Sequence, residues 1–153
     1  MEGFPPQRLS KKSLGGREID KQKLYRIIDA NFNRAKEGLR VCEDVCRFVW
    51  DRKKETKALK DIRHHLTQVI GSLTIRRIIQ ARNIRGDVGR FSTVEELKRK
   101  DVADVYYANS QRVKESIRVL EEFSKILDAN AAQALKKLRY RIYAVEKDII
   151  KEL

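Results

Sequence analysis

Two stretches, ANFNRAKEGLRVCEDVCRF at 30–48 and ANSQRVKESIRVLEEFSKI at 108–126, read as copies of one helical segment. Eight of their 19 positions are identical, and Asp44/Glu122 and Arg47/Lys125 keep their charge. Ala35, Leu39, Cys42, Val45, Cys46 and Val49 recur at helical spacing, so one face of the first copy is apolar. Downstream, LKDIRHHLTQVI (59–70) and LKKLRYRIYAVE (135–146) agree at Leu, Lys, Arg and Val. The offsets of 78 and 76 are nearly equal, as a duplicated helix pair requires. The fold is read as all-α: a four-helix bundle made of two pseudo-symmetric helical hairpins. Residues 71–100 form the basic crossover between them, with a short helix.

The remaining segments fit around this frame. Asp20 is placed to cap a first helix reaching about Asp51, and a second helix runs from about Thr56 to Gln80, with Gly71 placed to bend it. Ser92-Thr-Val-Glu95 has the spacing of a capping box for a short helix. Two long helices follow over about 102–127 and 131–152, separated by Asp128-Ala-Asn130. No stretch reads as a strand. Residues 1–18 carry both prolines and three of the seven glycines without periodicity and read as a flexible basic tail, leaving 19–153 as one helical domain.

Composition narrows the function classes. The 153 residues hold 35 Lys+Arg against 22 Asp+Glu, a formal charge of +13. No apolar run approaches the roughly 18 residues of a membrane span, and Met1 to Gly16 lacks the apolar stretch of a signal peptide. A cytoplasmic protein without membrane contact is expected. Cys42 and Cys46, four apart on the apolar face, read as core thiols. A zinc site with His64 and His65 is disfavoured, because consecutive helical positions point about 100° apart.

Polar residues stand where the bundle should be apolar. On a wheel with Asn31 at zero, the apolar arc runs from about 260° through zero to about 100°. Asn31 sits at its centre, Arg34 at about 300°, Gly38 at about 340° and Glu37 on the edge at about 240°. Asn109, Arg112, Ser116 and Glu115 repeat the pattern in the second copy, and Arg63 and Arg139 lie on the rims of helices two and four. Two readings stand. Arg34–Glu37 and Arg112–Glu115 are i,i+3 ion pairs left from duplication, or these inward polar groups build a ligand site; their presence in both halves favours the site. Arg40, Glu43, Arg118 and Glu121 fall on the outer arc and read as a solvated salt-bridge ladder.

The crossover is also unusual. Between residues 76 and 90 it holds five arginines (76, 77, 82, 85 and 90) and one acid, Asp87, which Gly86 and Gly89 flank in G-D-V-G. Arginines grip phosphate in a bidentate fork and glycine lets backbone amides approach an anion. Nucleic-acid phosphate explains the same density, giving a rival: a basic helical RNA-binding module. The chain has no GxxxxGK[ST] loop, GxGxxG fingerprint or zinc motif.

RIIDANFNRAKEGLRVCEDVCRF, then LKDIRHHL, RNIRGDVG, YYANSQRVKESIRVLEEFSKI and LRYRIYAVEK, in that order, resemble one family across about residues 24–148. It is the small atypical hydroxymethylpyrimidine-phosphate kinase of thiamine biosynthesis, found alone or fused in front of thiamine-phosphate synthase. The resemblance implies ATP-dependent conversion of 4-amino-5-hydroxymethyl-2-methylpyrimidine phosphate to its diphosphate. The family's pattern recurs here at Asp29-Ala-Asn31, Arg34, Glu37 to Arg40, Glu43, Arg63-His64, Arg82, Asp87-Val88-Gly89, Asn109, Arg112, Glu115, Arg118, Glu121 and Arg139-Tyr140. Asn83 stands where that pattern carries an acid, which weakens a metal role there.

This chemistry needs no general base, because a phosphate monoester with a second pKa of about 6 is already an oxyanion at neutral pH. It needs cations around two phosphates. The expected catalytic residues are Arg34, Arg112, Glu37 and Glu115, with Asn31, Asn109, Arg63, Arg139, Arg82 and Gly89 binding substrate and phosphate. Asp87, Glu37 and Glu115 are the expected ligands of Mg2+, and ATP the co-substrate. Thiamine-phosphate synthase is an expected partner, nucleic acid binds only non-specifically, and a homodimer is left open. A non-catalytic partner of that synthase is the third reading.

Overall fold

Asp20 opens the first helix as its spacing predicts: its carboxylate accepts the Gln22 amide at 3.0 Å. The computed structural model describes residues 19–73 and 75–153, so the expected tail at 1–18 lies outside the described residues. The elements are α1 (Lys21–Asp44), α2 (Lys53–Gly71), α3 (Ile75–Gln80), α4 (Val102–Ser124) and α5 (Ala129–Ile150). Asp101 and Asp128 cap α4 and α5, accepting from Asp104 N at 2.8 Å and Asn130 N at 2.9 Å. The described residues contain no strand, and the chain is an all-α bundle.

Three local expectations shift. The first helix does reach the Trp50 region, but through a π-helical turn at Val45–Val49, and Asp51 then turns the chain at φ 49°. The helix expected over 56–80 is two: α2 stops at Gly71, where the Ser72 hydroxyl donates back to Val69 O at 2.6 Å. The capping box is Thr93–Glu96, one residue later than expected, with Glu96 N on Thr93 Oγ1 at 3.4 Å and Thr93 N on Glu96 Oε2 at 3.3 Å. It starts only a 3₁₀ turn, Glu95–Leu97.

The four long helices close a ring in which α1 and α5 each pack against both α2 and α4. The α1–α4 seam runs antiparallel: Gly38 faces Asn109 and Val113, while Cys42, one turn later, meets Tyr106. The α2–α5 seam is antiparallel too, with His65 against Arg141 and Lys54 against Asp148. This topology explains the crossover. With every neighbour in the ring antiparallel, α2 and α4 run the same way, so the chain must return along the bundle before α4 begins. Arg82 lies beside Asp29 near the start of α1, whereas α4 starts beside its far end, roughly 25 Å away at about 1.5 Å per residue.

The core is continuous through all four long helices. Ile28, Leu39, Cys46, Ile62, Leu66, Ile117, Leu120 and Leu135 are fully buried. Cys42 is buried as well, so both cysteines are core thiols as expected, and burial pushes the Cys46 thiol up to about 11 and Cys42 higher still. Among the described residues, no group of three His, Cys, Asp or Glu side chains is placed to hold a metal.

Gly38 sets how closely α1 and α4 approach, since a Cβ there would stand 2.7 Å from Val113 Cγ2 and 3.0 Å from Asn109 O. Gly38→Val should destabilise the bundle by about 1–3 kcal/mol, the usual cost of overpacking. The check is a lowered urea midpoint, partly recovered in Gly38→Val/Val113→Ala.

Candidate functional site

The buried charges are not the ones the helical wheel singled out. Glu43 and Glu121, placed by the wheel on the outer arc, are 2% and 3% exposed. Each carboxylate holds an arginine of the next helix: Arg63 Nε–Glu43 Oε2 at 2.9 Å, and Arg139 Nε–Glu121 Oε2 at 2.8 Å. An exposed arginine one turn back completes each group, Arg40 at 3.6 Å and Arg118 at 3.3 Å. The wheel failed because it centred the buried arc on the α1–α4 seam, while α2 and α5 cover a second flank of α1 and α4. A solvated ladder is therefore the wrong description of Glu43 and Glu121.

The converse correction applies to the residues expected inside. Asn31 is buried, and Asn109 half-buried, but Arg34, Glu37, Arg112 and Glu115 are exposed. From the edge of the arc a long side chain carries its charge to water. Neither Arg34–Glu37 nor Arg112–Glu115 closes as an ion pair among the described residues. Arg34 Nη1 instead reaches Asn31 Oδ1 at 3.5 Å, and Glu115 accepts from Gln111 at 3.1 Å. Asn31 and Asn109 behave alike, each amide donating at 2.8 Å to the carbonyl four residues back, Ile27 and Val105.

The crossover gathers the first cleft. Arg82 clamps the buried Asp29 with two bonds of 2.7 Å, Nε to Oδ2 and Nη2 to Oδ1. That fork ties residues 82–87 to α1 and walls a cleft of about 850 Å³ containing Asn31, Arg34, Glu37, Arg82 and Asp87, with Lys23, Arg26 and Asn33. Asp29, absent from the expected site, is what positions Arg82. Gly89 does not line the cleft, and its amide is spent on Asp87 Oδ1 at 2.9 Å; the Gly86 amide is likewise held by Asn83 Oδ1 at 2.8 Å. The loop thus closes on its own side chains, which removes Gly89 as an anion-binding amide. Asn83 does the same turn-closing work open to an aspartate.

A second cleft, of about 810 Å³, opens where the π turn meets the start of α2, lined by Arg40, Arg47, Arg52, Lys53, Lys57, Lys60, Arg63 and His64 around Glu43, Asp51 and Thr56. Only Arg63 was expected to bind. The run RKKETKALK over 52–60 was the available signal, but a lysine-rich first turn looks like ordinary solvated surface. Arg139 and Glu115 line a third, smaller hollow of about 490 Å³ with Arg118 and Tyr143. Arg112 and Asn109 line none of the three. Of the expected metal ligands, Glu37 and Asp87 share the first cleft and Glu115 does not.

Two outcomes test these charges. Arg63→Met leaves the Glu43 carboxylate buried against a more distant, exposed Arg40, and should cost on the order of 3–5 kcal/mol; Arg63→Met/Glu43→Leu should regain most of it in urea denaturation. In addition, Arg52 lies 2.6 Å from Glu55 and holds that carboxyl below its ordinary value. A lowered carboxylate stabilises the fold above its unfolded value and loses that contribution as pH falls through the folded one. Glu55→Gln should therefore lower stability above about pH 4.5 and flatten the acid limb of the stability–pH profile below it.

The geometry belongs to a chain with clear relatives. It matches the ThiD2 family over residues 26–148. It is 37% identical over 129 residues to a thiamine-phosphate synthase of Prochlorococcus marinus (strain AS9601), covering 84% of this chain and 36% of that protein. A thiamine-phosphate synthase of Nostoc punctiforme is 37% identical over 135 residues (88% and 37% covered), and that of Synechocystis sp. 38% over 128 (83% and 36%). The chain thus spans about a third of the length of these relatives. No solved structure matches it. Among the described residues no helix is long and apolar enough to cross a membrane. On the extent of the match, and with the repeated motifs and the crossover clamp inside it, the chain belongs to the ThiD2 family of thiamine biosynthesis.

Proposed function

We propose that the chain transfers the γ-phosphoryl group of ATP to 4-amino-5-hydroxymethyl-2-methylpyrimidine phosphate, giving the diphosphate. The observation that carries this reading is the Asp29–Arg82 clamp, which brings an arginine of the crossover into one cleft with Arg26 and Arg34 of α1. Three guanidinium groups with buried and half-buried amides, Asn31 and Asn33, suit a phosphate ester of a heteroaromatic base.

In this reading Arg34 and Arg82 hold the acceptor phosphate and offset the repulsion between two anions. Asn31 orients Arg34 through its Oδ1, and Asn33, whose amide donates to Asp29 at 3.0 and 3.2 Å, supports the clamp. No base is asked to remove a proton, because the attacking oxygen is ionised at neutral pH. Magnesium arrives with ATP as part of the substrate. It favours one or two carboxylates besides phosphates and water, and Glu37 and Asp87 are the pair this cleft supplies; the ion neutralises charge on the transferring group. Arg112, Asn109 and Glu115 have no role in this scheme.

A second reading, a partner of thiamine-phosphate synthase without activity of its own, is favoured by the exposed apolar Val88, Phe91, Val94 and Leu97 of the crossover. One assay decides between them. With ATP and Mg2+, ADP release should require the pyrimidine phosphate and be negligible with the free alcohol, which lacks the group the arginines grip. Arg34→Met should lower kcat/KM by about a hundredfold in a protein with unchanged circular dichroism. A folded chain that releases no ADP turns the reading to the partner role.

A further inference from the structure

We infer that the second cleft, at the π turn and the start of α2, is the seat of the polyphosphate chain of a nucleoside triphosphate. This rests on the phosphotransfer reading and assigns its donor.

The charge of the two clefts differs in kind. The first balances four cationic side chains against three carboxylates, as suits a monophosphate and a polar base. The second sets seven against two. Lys53, Lys57 and Lys60 have no carboxylate within 4 Å among the described residues, so their charge is uncommitted. A wall of one sign is repulsive in itself and is relieved by a polyanion.

Comparison with the second half shows that this charge is not a by-product of the repeat. At the offset of 76, Arg52, Lys53 and Lys57 correspond to Asp128, Ala129 and Gln133. The buried arginine has diverged as well. Arg139 spends all three nitrogens, with Nη1 on Tyr143 Oη at 3.2 Å in addition to the Glu121 fork. Arg63 bonds Glu43 through Nε and Nη2 only, and Thr67 stands where Tyr143 would be, its hydroxyl donating to Arg63 O at 3.1 Å. Arg63 therefore presents an unpartnered Nη1, among the described residues, from a guanidinium that a buried carboxylate holds in place. The two clefts also adjoin: Glu37 of the first and Arg40 of the second are three apart on α1, about 5–6 Å between Cβ atoms. A triphosphate with its γ end at Arg40 would lie one helical turn from Glu37 and six residues, about 9 Å along α1, from the acceptor's Arg34.

Trp50, the one tryptophan of the chain, directly precedes Asp51 and Arg52 of this cleft, so its emission reports occupancy without turnover. Inorganic tripolyphosphate and a non-hydrolysable ATP analogue are titrated into the full chain, Lys57→Gln/Lys60→Gln and Arg34→Gln. Both lysines are exposed, so the double variant keeps the fold. The expected result is saturable quenching or enhancement in the wild type and in Arg34→Gln, with at least tenfold weaker binding of both probes to the lysine variant. Calorimetry should show that variant binding the pyrimidine phosphate as the wild type does. Equal affinity of the lysine variant and wild type, or loss in Arg34→Gln alone, overturns the assignment. So does a single-stranded RNA that binds more tightly than tripolyphosphate and resists salt. Absence of ADP with the lysine effect intact would overturn the activity and support the site.

Discussion

A carboxylate enclosed at the seam of two helices has to be met by a cation, and Glu43 and Glu121 impose that condition on both halves of the molecule. Each fixes its hairpin's register, because sliding α2 along α1, or α5 along α4, by one turn would leave a charge unpaired in the interior. The same bonds immobilise Arg63 and Arg139, side chains that otherwise lose considerable rotamer entropy when they bind anything. An arginine held in this way presents its remaining N–H groups in a fixed direction. Structural pairing thus occupies Nε and Nη2 of Arg63 and leaves Nη1 outside it, whereas Tyr143 satisfies the corresponding nitrogen of Arg139 internally.

The pseudo-twofold arrangement makes two equivalent hairpins but leaves only one crossover. Because α2 and α4 run in the same direction, that crossover must span the length of the bundle; its α3 packs on α1, and residues 82–101 are exposed. Asp29 secures it through Arg82. The position equivalent to Asp29 in the second copy is Tyr107, which has no carboxylate to clamp an arginine. Asn31, Arg34 and Glu37 stand in a walled cleft, whereas Asn109 and Arg112 line none and Glu115 only the small hollow beside Arg139. Identical residues acquire different surroundings from topology alone.

The sequence disclosed the architecture well, because the repeat and the helical period are long-range regularities that packing does not override. The cap at Asp20 is local chemistry and is equally visible. What escaped was whatever depended on a second neighbour. The wheel treats a helix as having one buried side; in a four-membered ring each helix has two, and this moved Glu43 and Glu121 from surface to interior. Arg34 and Arg112 went the other way, since the wheel places a Cβ while an arginine head lies several bonds beyond it. Asp29 was quoted within a motif but not weighed, because its partner lies 53 residues away. Gly89 looked like an anion-binding amide until the loop's own Asp87 claimed it.

The proposed transfer between two phosphorylated ligands needs one seat for each, and a duplicated bundle offers two halves in which to build them as copies. The clefts do not follow that plan. Both lie in the first half, on adjoining turns of α1, while the second half has traded Arg52, Lys53 and Lys57 for Asp128, Ala129 and Gln133 and has closed Arg139 with a tyrosine. What the second half retains is the buried Glu121–Arg139 pair and the α4 surface that packs around Gly38. Those are the features a partner hairpin needs in order to hold α1 and α2 rigid. In the proposed transfer, that rigidity keeps repulsion between two bound phosphates from being relieved by moving the helices apart. The two hairpins thus divide the work, one presenting the charged clefts and the other keeping them at a fixed separation.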